Sequence, residues 1–314
     1  MRNVIFWASA LTFVLQSCVA PRSVLNSGKV TPKDNFAAGW QYAGNISTAP
    51  LSKAADLVNL NIDQIAAAQN MLDTLSQADA ELLNQNLEIV GQAAIAYAAD
   101  PIGAGSQFYL RYGLIDRVDI GYKYASGAHV FDAQYQFLGP VGNVEDITDE
   151  RWYGSIGVQY AGQKVSIPAW ATPLQNAINF DFSRRDVMVP LTFSYSFGNE
   201  EEYGSIAMGL VGNYTRFKYS TFNTDFAQYI NPDGSVNILA IQAVDQKSDI
   251  FAYGGFVNLK LGYKYVYVLP ALSFYYQDYG QFQNVIGSSF HLKGWTFVPS
   301  IGLRARIGKS TRNK

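Results

Sequence analysis

The feature that most limits what this chain can fold into is a strict two-residue alternation that persists for about ten residues at a time and returns along most of its length. In the sharpest case Val187, Val189, Leu191, Phe193, Tyr195 and Phe197 share one face, and Met188, Pro190, Thr192, Ser194 and Ser196 share the other. The first such segment sets Phe36, Ala38, Trp40, Tyr42, Gly44 and Ile46 against Ala37, Gly39, Gln41, Ala43, Asn45 and Ser47. Further segments follow around Phe108 to Tyr112, Val118 to Tyr124, Phe131 to Phe137 and Trp152 to Tyr160. The last four are Tyr203 to Tyr219, Phe251 to Lys264, Val266 to Tyr279 and Trp295 to Ile307. The chain is therefore read as all-β.

The composition of the two faces decides between a soluble sandwich, which hides its apolar face in a core, and a transmembrane barrel, which turns that face to lipid. The polar face is rich in Gly, Ser, Thr, Gln and Asn, and the apolar face carries Tyr, Phe and Trp toward strand ends. Strands of about ten residues suit a tilted bilayer crossing better than the five or six common in globular sheets. This predicts a transmembrane antiparallel β-barrel of about ten strands over 35–308, with a soluble sandwich as the alternative. Tight connections at 113–117, 198–202 and 264–265 alternate with long ones at 163–184, 220–248 and 280–292. That pattern places the short turns on the periplasmic side together with both ends of the barrel. Pro190, Pro270 and Pro299 each remove a ladder donor, so bulges or bends are expected there.

The segment 51–98 breaks the alternation. Ser76-Gln77-Ala78-Asp79 reads as a capping box, while Val58, Ile62, Ile65, Leu72, Leu75, Leu82, Leu83, Leu87 and Val90 fall at helical spacing. The expectation is a helical insertion after the first strand, rooted at the external side. It either caps or plugs the barrel or packs mainly on itself.

At the amino terminus Arg2 precedes the apolar run 4–15, which is too short to span a bilayer as a helix but has the order of a secretory signal. Leu15-Gln16-Ser17-Cys18 follows, in which a small residue precedes the cysteine. The reading is a signal peptide over 1–17, a lipid on Cys18 and a tether over 18–34. The alternative is an ordinary signal in which Cys18 carries nothing. A basic tail, 309–314, follows the last strand.

With 23 Lys+Arg against 25 Asp+Glu there is no global field for nucleic acid. One Cys and two His leave little for a metal centre, and no phosphate loop, HExxH or CxxC pattern occurs, so no cofactor or metal is expected. The ionisable residues predicted to face inward are Arg111, Lys123, Arg184, Lys260, Lys264, Arg304 and Arg306 against Asp119, Asp132 and Asp186. They either neutralise one another in a filled barrel or line an anion-preferring path. His129 and His291 fall near external strand ends, with Asp132 on the neighbouring inward face and no partner evident for His291. Trp170, Phe222, Phe226 and Tyr229 are candidates for an external contact surface.

Arg111-Tyr112-Gly113-Leu114-Ile115-Asp116-Arg117-Val118-Asp119-Ile120-Gly121 resembles a hairpin that recurs in uncharacterised bacterial outer-membrane barrel proteins. Ser300, Gly302, Ala305 and Ile307 are similar to the carboxy-terminal signal read by the barrel-assembly machinery, although Ile307 is neither aromatic nor terminal. The resemblance implies an outer-membrane location, outer-membrane lipid and the assembly machinery as partners, and no activity. The functions left open are a non-enzymatic envelope or surface protein, a narrow solute channel with a helical plug, and a membrane hydrolase of the omptin or lipid-modifying kind.

Overall fold

The computed structural model describes residues 20–56, 77–141, 151–165, 180–198, 201–221, 244–283 and 289–307. The signal segment, Cys18, the basic tail, Ser76 and the aromatic residues Trp170, Phe222, Phe226 and Tyr229 lie outside them. Ten strands are present: β1 (Phe36–Ser47), β2 (Gly103–Ile115), β3 (Val118–Ala125), β4 (Ala128–Leu138), β5 (Trp152–Val165), β6 (Phe180–Phe197), β7 (Gly204–Thr221), β8 (Val244–Tyr263), β9 (Val266–Gln283) and β10 (Ser289–Ile307). Each pairs with its sequence neighbours, and β10 closes on β1 to complete an antiparallel ring with no free edge. Among the described residues two helices, α1 (Thr48–Asp56) and α2 (Gln77–Ala99), are inserted between β1 and β2.

The rim that holds Phe36, Ile307 and the turns at 116–117 and 264–265 is called here the terminal rim, and the opposite one the loop rim. Arg117 and Lys264 adopt left-handed backbone at φ 69° and 54° to close the two-residue turns of this rim, and Ser126 at φ 48° does the same in the two-residue turn at the loop rim. The strands of the second half run farther toward the loop rim than the alternation suggested, because β8 begins at Val244 and β9 and β10 continue to Gln283 and from Ser289.

The faces follow the predicted alternation. Leu110, Ile120, Ile156, Val189, Met208, Leu210, Val257, Leu272, Ile301 and Leu303 point outward and are exposed. Rings gather on both sides of this aliphatic band. Phe36–Tyr112, Trp152–Tyr195 and Tyr203–Tyr263 pair toward the terminal rim, and Tyr122–Phe131, Tyr214–Phe251, Tyr253–Tyr276 and Tyr276–Trp295 toward the loop rim. Between Tyr253 and Tyr263 about ten steps of roughly 3.3 Å, tilted about 40°, cover about 25 Å, the height of a barrel's hydrocarbon band. Beyond the loop-rim rings the outward face turns charged, with Arg216 and Asp249 paired at 3.1 Å.

The three prolines do not produce the expected bulges. Pairing of β6 with β5 lapses between Leu191↔Ile156 and Met188↔Gln159, then resumes in the same register. The same happens beside Pro270, between Ala271↔Asn258 and Val268↔Leu261, and beside Pro299, between Ser300↔Ala43 and Phe297↔Ile46. A proline lacks the N–H, but its fixed φ is compatible with an extended strand, so ladder bonds are lost and the count is kept. Bulges occur instead at Gly113/Ile115, Gln136/Leu138 and Leu292/Lys293.

Candidate functional site in the lumen

A ring of ten strands encloses space that its own side chains must fill or leave to water. Among the described residues, two pieces of this chain fill most of it.

The first is residues 20–33, expected above as part of the tether from the lipid to the fold and found inside the barrel. From Ala20, fully buried, the segment descends to the terminal rim at Lys33, which bridges to Gly113. Its lack of periodicity has a physical reason: it is extended and solvated by the wall's side chains rather than by a sheet. Gln159 donates to Pro21 O (2.9 Å), Tyr275 to Arg22 O (2.5 Å), Gln134 to Ser27 O (2.7 Å) and Asn258 to Asn26 O (3.1 Å). In return Gly28 N donates to Ser194 Oγ (2.9 Å), Val30 N to Gln136 Oε1 (3.2 Å) and Thr31 N to Asp119 Oδ2 (2.8 Å). The polar inward face thus serves as a hydrogen-bonding lining for a guest backbone.

The second piece is the helical insertion. The carboxy-terminal half of α2 is buried, with Val90, Ala93, Ile95, Ala96 and Ala99 all shielded, and α1 leans on it through Lys53 Nζ to Gln92 Oε1 (2.8 Å). The guanidinium of Arg184 on β6 donates to Ala99 O (3.0 Å), placing a cation at the negative end of the helix dipole. Pro101 then ends the helix.

The two pieces meet at Asp100. Its carboxylate accepts from Asn45 (2.8 Å), Gln277 (2.7 Å), Tyr279 (2.8 Å) and Thr296 (2.8 Å) and stands 3.1 Å from Arg22 Nη1. Burial pushes this carboxyl up, but Arg22, Arg184 and the hydrogen bonds from Tyr279 and Asn45 bring it down to about 2. The Arg22 guanidinium is penalised by burial and held charged by Asp100 and Asp186, so it lies above its ordinary value.

Most of the predicted inward charges fall into local ion pairs. Arg111 spans Asp119, which it meets with two nitrogens, and Asp132 at 2.5 Å. Gly121 sits between them, and any Cβ there would overlap the Asp132 carboxylate. Arg184 grips Asp186 bidentately (2.8 and 2.6 Å). Lys260 pairs at 2.7 Å with Glu201, a residue of the β6–β7 connection that turns into the barrel. Burial pushes the Glu201 carboxyl up, and Lys260 more than reverses this, leaving it at about 2. Lys123 reaches Ser23 O at 3.4 Å. Arg304 donates to Tyr109 Oη (3.0 Å) and lies 3.4 Å from Asn26 Oδ1. Arg306 and Lys264 are both half-buried near the terminal rim, with Lys264 3.8 Å from Glu202. The cavity left among Arg111, Lys123, Asp132 and Arg304 is about 40 Å³, room for about one water.

Arg22, Asp100 and Glu201 escaped the sequence reading. The surplus of inward Gln, Asn and Ser over possible partners was the available signal, because such side chains are seldom buried without a bond. Both imidazoles face outward at the loop rim: His129 bonds Tyr122 Oη (2.8 Å) rather than Asp132, and His291 has a partner after all in Asp278 (2.8 Å). Among the described residues no group of His, Cys, Asp and Glu could hold a metal ion.

This chain is similar in structure to Neisserial surface protein A, with a TM-score of 0.31 and 10% identity over 86% of this chain and 96% of that one. It is also similar to Ail, the attachment invasion locus protein of Yersinia pestis solved with the heparin analogue sucrose octasulfate, at TM-score 0.28 and 10% identity over 86% and 96%. A major outer membrane protein from Thermus thermophilus gives 0.29 and 9% over 87% and 99%. No protein-family model and no curated protein matches the chain.

Proposed function

We propose that this chain is an outer-membrane β-barrel of the bacterial envelope, with the terminal rim toward the periplasm, acting as a non-enzymatic and non-conducting surface protein. The observation that carries this reading is a filled lumen inside an outward apolar band flanked by rings. A passage for solutes needs continuous water, and here the guest segment and the carboxy-terminal half of α2 with Asp100 occupy successive levels of the interior and are bonded to the wall and to each other. The outward placement of both imidazoles, away from the luminal ion pairs, favours a structural over a hydrolytic role. In planar bilayers the full chain should show no steady unitary conductance. A stable conductance from the intact chain would overturn the filled-lumen reading.

The lipid on Cys18 belongs to the same proposal and carries a geometric condition. Two residues of extended chain span at most about 7 Å, so a lipid attached at Cys18 would be tied by that length to Ala20, which is buried in the barrel interior. A lipid inserted in a leaflet therefore competes with the luminal seat of residues 20–33. Mass spectrometry of the mature amino terminus should find acylated Cys18. In such chains hydrogen exchange over 20–33 should be faster than in Cys18→Ser.

A further inference from the structure

Outside the barrel, the apolar band of the described residues has a place that side chains do not fill. Pro270 on β9 and Pro299 on β10 both point outward, and beside each the ladder to the next strand lapses: β8–β9 at Pro270 and β10–β1 at Pro299. Small residues, Gly44 and Ala104, face the same spot from β1 and β2. The result is an open groove of about 630 Å³ walled by Tyr42, Leu272 and Ile301 together with the two prolines. No charged side chain lines it. Its inner wall is supported by the luminal guest, because Val24 packs with Ala43 and Val298, and Leu25 packs with Leu269 and Ala271.

We propose that this groove seats one acyl chain of an outer-membrane lipid. The inference rests on the bilayer reading above, since it places hydrocarbon against this face. Volume and lining fit a site for an apolar ligand of the size of a lipid chain. Its position within the aliphatic band leaves a headgroup too far from the floor, and the missing ladder bonds and short side chains provide depth that a smooth barrel face lacks. A chain held here gains contact on several sides, where an annular lipid elsewhere touches one.

The test is photolabelling of the full protein in phosphatidylethanolamine vesicles that carry a trace of lipid with a mid-chain diazirine, with adducts located by mass spectrometry. Identical residue types make the comparison. Exposure alone ranks Leu210 (68%) above Leu272 (40%) and leaves Ile156 (45%) close to Ile301 (52%). Chain capture reverses the first order and separates the second pair, with Leu272 and Ile301 labelled several-fold above Leu210 and Ile156. Gly44→Leu fills the groove at a position where a Cβ would make ordinary contacts with the Pro299 ring at 3.5 Å and Gly103 O at 3.8 Å. It should abolish the excess and leave the other adducts unchanged, as should Ala104→Leu. Labelling that follows exposure, or an excess that survives both substitutions, would overturn the groove alone. Intermolecular peptide crosslinks through the groove in place of lipid adducts would assign it to a second copy and overturn the proposal. Absence of adducts around the whole band would overturn the bilayer reading, and the groove with it.

Discussion

Arg22 and Asp100 meet at 3.1 Å with both side chains shut off from solvent, and through them the guest segment and the helical insertion become one body inside the barrel. Neither residue belongs to a strand. The wall contributes the second layer, with Asn45, Gln277, Tyr279 and Thr296 all directed at the same carboxylate.

Removing one member of a buried ion pair leaves the other charge uncompensated, at a cost of about 3–5 kcal/mol. Asp100→Ala should therefore loosen residues 20–33 more than the wall. Hydrogen exchange is expected to rise over 20–33 and the end of α2 while the strand amides stay protected. Uniform acceleration through the strands would show that Asp100 supports the barrel as a whole.

The same node gives a pH dependence of known sign. Asp100 and Glu201 have folded values of about 2, depressed from ordinary values of 3.8 and 4.5. Groups depressed in this way contribute stability that is fully present above the unfolded value and lost as pH falls through the folded one. Luminal protection of 20–33 and of the 201–203 connection should hold from neutral pH down to about 4.5 and fail between there and about 2. Loss of protection on raising the pH instead would contradict the assignment.

Two plugs at successive levels change the expectation for the helical insertion. Deleting 51–98 alone should leave conductance near zero, because residues 20–33 still fill the terminal half. Deleting both segments should open the barrel, and the inward Arg and Lys should then favour anions with a selectivity that fades at high salt. A large conductance after loss of 51–98 alone would show that the guest segment does not seal.

Gly113 has Pro32 running directly over it, and a Cβ there would overlap the Pro32 carbonyl oxygen. Gly113→Ala should displace the strap at a cost of about 1–3 kcal/mol and release the Lys33–Gly113 bridge. Protease sensitivity near Lys33 reads the effect directly. An unchanged cleavage rate would mean the strap is held elsewhere.

Leu210, the most exposed aliphatic residue of the band, should tolerate Arg poorly, by about 2–4 kcal/mol if it sits near the bilayer midplane. Arg216→Leu, beyond the loop-rim rings, should be far milder. Urea unfolding in vesicles compares the two.

The wall was legible because a barrel strand needs opposite chemistry on alternate residues, and the segment Val187 to Phe197 spells this out. The helical insertion was legible in part, through the spacing of Leu82, Leu83, Leu87 and Val90 that falls on α2; Val58, Ile62, Ile65, Leu72 and Leu75 lie outside the described residues. The guest segment was not, since Arg22 to Lys33 make their bonds to side chains and need neither periodicity nor apolar character. The hairpin from Arg111 to Gly121 was recognisable by resemblance, but its purpose emerged only with its guest in place. Arg111 and Asp119 hold the ion cluster, Asp119 takes Thr31 N, Gly113 admits Pro32, and Gly121 makes room for Asp132. The outward partners of His129 and His291 were hidden because strand register, not sequence distance, brings Tyr122 and Asp278 beside them.

The guest segment also acts as a gauge of circumference. Its groups are met by Asp119, Gln134, Gln159, Ser194, Asn258, Tyr275 and Arg304, on strands that go most of the way around the ring. A ring with one hairpin more would hold these partners too far from the axis to reach it, and a ring with one fewer would leave no room for the chain. Like a mandrel in a wound coil, residues 20–33 stabilise one diameter over its neighbours, so the strand number of this barrel is specified from its centre as well as by its seams.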